Sequence, residues 1–331
     1  MKRRILMLLR SIAALFAAMT LLAPAAAALE EEEVYTLPIE LRRDDLVNKQ
    51  KNPFGLVRGY AYKATYNREY HDVYEDPTIR VEYQRVDHKD KATGEYNKYN
   101  LTYFYAFVTI GHASQLRTAP ADPSKGFTGN SVKQVKQMAQ MFDAVLAING
   151  DFFSRGGLKE AKYCLRQGVV YRDSITDYLD MLLIDEEGDF HIYKAGPELA
   201  ELNKEEIDGK KIINAFQFGP ALVIDGEPVD DAYILDRAHA PSMSEPDLKN
   251  PRMCIAQIDK LHYFVLACWH GIDLAQLRDL VLSITPCQTL YVLDGGNSSQ
   301  MIFLKSHINL NPGQNDRTIS DMIWFASAYK D

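Results

Sequence analysis

Two stretches of the chain place reactive side chains where a strand stops. The run Leu290-Tyr291-Val292-Leu293 is apolar and rich in β-branched and aromatic residues, and it ends abruptly on Asp294-Gly295-Gly296-Asn297-Ser298-Ser299. Met301-Ile302-Phe303-Leu304 then resumes the apolar pattern. Ala144 to Ile148 ends in the same way, on Asn149-Gly150-Asp151-Phe152-Phe153. Short apolar runs of this kind read as buried strands. A carboxylate at a strand end is held by the sheet, and glycines beside it let backbone N–H groups approach a ligand closely, which is how an anion or sugar site is built. The competing reading at both places is a hairpin turn, since Asn-Gly, Asp-Gly and Gly-Gly are common turn dipeptides.

The elements that must position these residues follow in order. Residues 60–110 alternate apolar and polar side chains (Ile79, Val81, Tyr83) and then run through Leu101 to Ile110, as a hairpin or meander does. Asn130 or Ser131 can cap a helix whose apolar face is Val132, Val135, Met138 and Met141-Phe142. Strands are expected around Cys164 to Val170, Met181 to Asp185, Phe190 to Tyr193 and Ala221 to Ile224, with Asp225-Gly226 as a turn. Asp273 and Gln276 have the spacing of a capping box for a helix from Leu274 to Ile284, buried through Leu274, Leu277, Val281 and Ile284. A last strand is expected around Met322 to Ala326. The fold class is therefore α+β, a mixed and largely antiparallel sheet with a few packed helices.

The 331 residues are 47% hydrophobic and 25% charged, enough for a sizeable core. Residues 1–28 stand apart: Lys2, Arg3, Arg4 and Arg10 flank an apolar run from Ile12 to Leu22, and Ala26-Ala27-Ala28 offers a cleavage site. This is a secretory signal peptide, so the mature chain is expected outside the cytoplasm and free of the membrane. Without it, 33 basic residues face 45 acidic ones, a net charge of −12. No basic cluster remains, which excludes nucleic acid and anionic lipid as expected partners. Residues 29–59 read as a tether, 60–110 as a β-rich segment and 111–331 as the main domain; the oligomeric state is open.

Four cysteines remain, Cys164, Cys254, Cys268 and Cys287, with no C-x-x-C. Arg252 to Ile258 and Leu261 to Cys268 look like two strands joined at Asp259-Lys260. That loop sets Cys254 opposite Val265 and turns Cys268 to the other face, against a bond between the two unless a bulge shifts the register. There is no G-x-G-x-x-G and no Walker motif, so no nucleotide cofactor is expected. A Ca²⁺ or Mg²⁺ ion on Asp294 is compatible with carboxylate chemistry, but no dense acidic ligand loop is present, and no cofactor is required.

Asn149-Gly150-Asp151-Phe152-Phe153, Phe218-Gly219-Pro220-Ala221-Leu222-Val223-Ile224-Asp225-Gly226, Asn250-Pro251-Arg252 and Leu293-Asp294-Gly295-Gly296-Asn297-Ser298-Ser299, followed by Arg317, resemble in type and order the phosphodiester glycosidase family. The resemblance covers roughly residues 100–328. It implies hydrolysis of the bond between a sugar's anomeric carbon and a phosphodiester, such as an N-acetylglucosamine-1-phosphodiester, and in secreted bacterial members a link to cell-wall or exopolysaccharide sugars. Asn297 and Gln257 stand where the family usually has glycine.

Glycosyl cleavage calls for carboxylates that handle protons or stabilise an oxocarbenium-like centre, which makes Asp294 and Asp151 the candidate catalytic pair. The phosphodiester is a weakly basic leaving group whose charge needs cationic donors or backbone N–H groups. Arg166 and Arg252 are candidates for the first, and the Gly295, Gly296, Asn297, Ser298 and Ser299 loop for the second. For each arginine the alternative is a structural ion pair. Asn149, Gly150 and His270, which precedes Gly271 after a strand, complete the candidate substrate-binding set. A nucleophilic Ser298 or Ser299 is disfavoured, because Gly296-Asn297-Ser298-Ser299-Gln300 lacks the closing glycine of a nucleophile elbow. Two rival functions remain: a non-catalytic glycan- or wall-binding protein, and a phosphodiesterase cutting on the other side of phosphorus.

Overall fold

The computed structural model describes residues 62–67, 71–76, 78–128, 131–150, 163–239, 245–310 and 316–328, with 62–67 and His270 described by their backbone alone. Residues 1–59, which span the expected leader and the whole of the expected tether, and Asp151 lie outside the described residues. The described residues open with strands β1 (Tyr62–Asn67), β2 (His71–Asp76), β3 (Ile79–Val86), β4 (Tyr103–Ile110) and β5 (Leu116–Pro120). Helix α1 (Val135–Met141) leads into β6 (Leu146–Asn149). Next come β7 (Cys164–Arg166), β8 (Val169–Arg172), β9 (Met181–Asp185), β10 (Phe190–Tyr193), β11 (Glu206–Ile207) and β12 (Lys210–Gln217). The hairpin β13 (Ala221–Ile224) and β14 (Glu227–Pro228) precedes a short helix α2 (Asp231–Ile234). The long strands β15 (Asn250–Asp259) and β16 (His262–Ile272) are followed by helix α3 (Leu274–Ile284). The chain closes with β17 (Thr289–Leu293), β18 (Met301–Phe303), β19 (Ser306–His307) and β20 (Asp321–Phe325).

The described residues form three sheets. The largest has nine strands in the order β1-β2-β3-β4-β16-β15-β17-β13-β14; the second runs β10-β9-β12-β7-β8 with β11 on β12; the third runs β19-β18-β6-β20-β5. The pairings are antiparallel throughout, and the fold is α+β. Strands β15, β16 and β17 are buried on both faces, which is why they read as continuous apolar runs. Met253, Ile255, Val265, Tyr291 and Leu293 face a core shared with the other two sheets. Cys254, Phe264, Leu266, Leu290 and Val292 face a second core under Leu274, Leu277, Leu280 and Val281 of α3. Helix α3 starts as its sequence indicates: Gln276 N donates to Asp273 Oδ1 at 2.8 Å and Asp273 N to Gln276 Oε1 at 3.3 Å. Among the described residues no helix is long and apolar enough to cross a membrane.

Two local expectations are corrected. Helix α1 begins at Val135 rather than Val132, with Gln134 at its N-cap position, so Ser131 does not cap it; Asn130 lies outside the described residues. Lys133 instead bridges Ile319, and the first helical N–H, that of Val135, donates to Gln300 Oε1 at 3.0 Å. A tertiary cap has replaced the local one. The β15–β16 register also differs: Cys254 lies opposite Leu266 and Arg252 opposite Cys268, with a shift between Gln257 and Asp259. The irregularity moves the pairing by one residue, so Cys254 and Cys268 share the helix-facing core with Cys287. All four cysteines are buried.

The Phe218 to Gly226 motif holds sheets together. Ala221 N donates to Asp180 Oδ2 at 2.7 Å. Phe218 N donates to Tyr291 Oη at 2.7 Å, and that hydroxyl donates to Asp180 O at 2.8 Å. Tyr291 thus ties β17 to the end of the second sheet. Gln257, the other position of unusual residue type, accepts from Phe190 N at 2.8 Å and fastens β10 to the far end of β15.

Candidate functional site at a strand-end junction

The Asp294 to Ser299 stretch is not a hairpin turn. Strand β17 belongs to the nine-stranded sheet, whereas β18, which starts after seven intervening residues, belongs to the five-stranded one. Residues 294–300 are therefore the crossing between two sheets. Among the described residues, strand β6 pairs with β18 and β20. Asp225-Gly226 shows the contrast, with positive φ of 52° and 81° in a true hairpin between β13 and β14.

The crossing brings the two motifs into contact. Asn149, fully buried at the end of β6, donates from Nδ2 to Asp294 O at 2.9 Å and accepts at Oδ1 from Gln300 N at 3.3 Å. The ends of β6 and β17 are thereby joined through one carboxamide, although 145 residues separate Asn149 from Asp294. Gly150 N donates to Asp321 O at 3.1 Å, stapling the same turn to β20. The distance of Asp151 from Asp294 lies outside the described residues.

Gly150 and Gly295 are glycines for want of room. A Cβ on Gly150 would lie 2.5 Å from Asp321 Oδ1, and one on Gly295 would lie within 3 Å of the Pro251 carbonyl oxygen. Gly296 has the other reason, a φ of +57° with open space around it. It starts a single 3₁₀ turn, Gly296–Ser298, closed by Ser298 N on Gly295 O at 3.0 Å and Ser299 N on Gly296 O at 3.2 Å. Asn297 is exposed at its crest, while Ser298 and Ser299 are buried. Ser299 Oγ donates to Arg252 O of β15 at 3.2 Å, which ties the loop to the neighbouring strand instead of forming the loop-internal bond the sequence suggested.

Arg317 arrives from the other side. Its N–H donates to Asn297 O at 3.0 Å and its carbonyl accepts from Gln300 Nε2 at 2.7 Å. Its guanidinium Nη1 lies 4.0 Å from Asp294 Oδ2 and 3.4 Å from Ser298 Oγ. The Arg317 side chain is 39% exposed and that of Asp294 13%. A carboxylate and a partly open guanidinium thus stand side by side, with charges that suit an electron-poor anomeric carbon and a phosphate respectively.

The other two arginines are engaged deeper. Arg166 Nε donates to Asp321 Oδ2 at 2.9 Å, Nη1 bonds the carbonyls of Leu165 and Ala215, and the guanidinium lies 4.0 Å from the centre of the Phe216 ring. Both partners of this ion pair are buried. Arg252 Nη2 donates to Glu245 O at 2.8 Å and to Leu248 O at 2.5 Å, and burial lowers its pKa from the ordinary arginine value. Arg252 meets the glycine loop through its backbone, at the carbonyl that Ser299 contacts. His270 lies in β16; its side chain is outside the description. Among the described residues no three His, Cys, Asp or Glu side chains gather to hold a metal ion.

Gln300, Asn309 and Asp321 shape the site without any signal in their surroundings in sequence. Gln300 acts on Asn149 and Val135, Asn309 on Ser299 and Met301, and Asp321 on Gly150 and Arg166. Arg317 could have been found, since it follows the four motifs.

A family model described as phosphodiester glycosidase matches residues 142–326, which contain this junction. Among solved structures, the zebrafish N-acetylglucosamine-1-phosphodiester alpha-N-acetylglucosaminidase catalytic domain, auto-inhibited by its pro-peptide, aligns with a TM-score of 0.59 at 13% identity. That alignment covers 78% of this chain and 88% of the zebrafish chain. A hypothetical protein from Synechocystis aligns with a TM-score of 0.51 at 12% identity, over 77% of this chain and 63% of that one. A search of curated protein sequences finds no match.

Proposed function

From a chain that belongs to the phosphodiester glycosidase family, we propose an exported hydrolase that cleaves the glycosyl bond of a sugar-1-phosphodiester. The observation that carries this reading is the junction itself, where Asn149 binds the Asp294 carbonyl at 2.9 Å while Arg317 sets its guanidinium 4.0 Å from the Asp294 carboxylate. Asp294 serves the anomeric centre as positive charge develops there, with Asp151 as the second carboxylate. Arg317 takes the phosphate, whose departing monoanion needs charge compensation more than a strong acid. Asn297, exposed at the crest of the turn, shapes the entry. Arg166 and Arg252 serve the scaffold, one under the Asn149-Gly150 turn and one under the 245–248 loop. An N-acetylglucosamine-1-phosphodiester from wall or exopolysaccharide material is the substrate class the family points to.

Product analysis in heavy-oxygen water tests the reaction. Cleavage at the anomeric carbon releases free reducing sugar carrying the heavy oxygen and an unlabelled phosphomonoester. Label in the phosphate, or sugar-1-phosphate as the product, would instead identify attack at phosphorus. Export is tested by N-terminal sequencing of the mature protein, expected to begin near Leu29.

A further inference from the structure

A buried histidine stands behind the candidate loop, in none of the motifs. His307, at the end of β19, has a side chain only 6% exposed. Its Nδ1 lies 2.9 Å from Asp316 Oδ2, and its Nε2 lies 2.9 Å from Asn309 Oδ1. The orientation of the Asn309 carboxamide is set by two further bonds: Met301 N donates to Oδ1 at 2.7 Å, and Nδ2 donates to Ser299 O at 2.9 Å. Oδ1 is therefore an acceptor, as is a carboxylate oxygen, and both ring nitrogens face acceptors. A neutral imidazole has one N–H and could satisfy only one of them; the doubly protonated ring satisfies both.

The two partners lead to the two halves of the site. Asn309 holds the backbone on either side of Gln300, where the crossing loop leaves for β18, and its own carbonyl accepts from Trp269 Nε1 at 3.0 Å. Asp316 immediately precedes Arg317, whose backbone is pinned to Asn297 and Gln300 and whose guanidinium reaches Asp294. We propose that His307 is a positioning residue that, as an imidazolium bridging Asp316 and Asn309, holds Arg317 and the Asp294–Ser299 loop in their mutual geometry. The proposal rests on reading that loop as the reacting site. No bond is made or broken at His307; it places Arg317 where a phosphate is bound.

The test uses the full mature chain and two variants. The His307→Gln amide can keep the donor toward Asn309, and the His307→Asn amide the donor toward Asp316; neither keeps both. In the parent, histidine labelled with nitrogen-15 should show two ring N–H groups for His307, and a bare ring nitrogen would overturn the imidazolium. Amide hydrogen exchange should accelerate by about tenfold or more at Arg317 and Met301 in the variants while the β15–β16 amides stay protected. Unchanged protection at both amides would overturn the positioning role. On a sugar phosphodiester the variants should raise KM by about tenfold, the loss of one charge-assisted hydrogen bond, with a smaller change in kcat. A fall in kcat at unchanged KM contradicts the proposal. If the parent cleaves no sugar phosphodiester, the reaction assignment fails while the nitrogen-15 and exchange measurements still decide the role of His307.

Discussion

Gly150→Ala puts a methyl group where the structure has the Asp321 carboxylate. The added carbon would sit 2.5 Å from Oδ1, 2.8 Å from Cγ and 3.1 Å from the backbone oxygen of Asp321. Relief by moving the backbones apart is opposed, because Gly150 N bonds that same oxygen at 3.1 Å and Met322 is paired with Asn149. Relief by swinging the carboxylate pulls it from Arg166 Nε at 2.9 Å, and both groups are buried. Overpacking of a tight interior costs about 1–3 kcal/mol. Complete loss of one partner of a buried pair costs about 3–5 kcal/mol, of which a partial displacement forfeits a fraction. The expected loss is therefore about 2–4 kcal/mol, large beside a total stability of about 5–15 kcal/mol. The control is Gly296→Ala, where nothing lies within 4 Å and only the φ of +57° resists, at about 1–2 kcal/mol. Urea unfolding of the two variants beside the parent measures the difference. A Gly150→Ala protein within about 0.5 kcal/mol of the parent, or less affected than Gly296→Ala, refutes the steric reasoning.

Arg317→Lys keeps a positive charge but loses the planar fork, so KM for a sugar phosphodiester should rise about tenfold or more while the melting temperature stays within a few degrees; an unchanged KM removes Arg317 from phosphate binding. Burial pushes the Asp185 carboxyl up, but hydrogen bonds from His191 and from the backbone N–H groups of Asp189 and Glu187 outweigh it and leave the group below its ordinary 3.8. A depressed carboxyl contributes stability above its unfolded value that is lost as pH falls through its folded value, so the parent should destabilise more steeply than Asp185→Asn below about pH 4. Parallel acid-unfolding curves would contradict this.

What could be read without coordinates divides by range. The strands around Asp294 and Asn149 were visible because burial on both faces leaves an uninterrupted apolar run, and α3 was visible because its cap lies three residues from its partner. The dipeptides Asn149-Gly150 and Asp294-Gly295 were ambiguous, since a glycine demanded by a neighbour's proximity is spelled like one demanded by positive φ. Only the sheet order separates them. The start of α1, the partner of Asn149 and the ion pair of Arg166 depend on contacts between segments far apart in the chain. Cys254 and Cys268 show how finely register is balanced, because one shift near Gln257 placed on one face two residues that regular pairing puts on opposite faces.

Asp294→Asn tests the central claim most directly, because it keeps the volume and removes the charge. Asn occupies turn positions as readily as Asp, and the Asp294 backbone oxygen, which Asn149 binds, is untouched. Turnover of a sugar-1-phosphodiester that the parent cleaves should fall by about a hundredfold or more, with a melting temperature within a few degrees of the parent. Near-parental turnover by a folded Asp294→Asn protein would contradict the assignment of this carboxylate to the reacting centre.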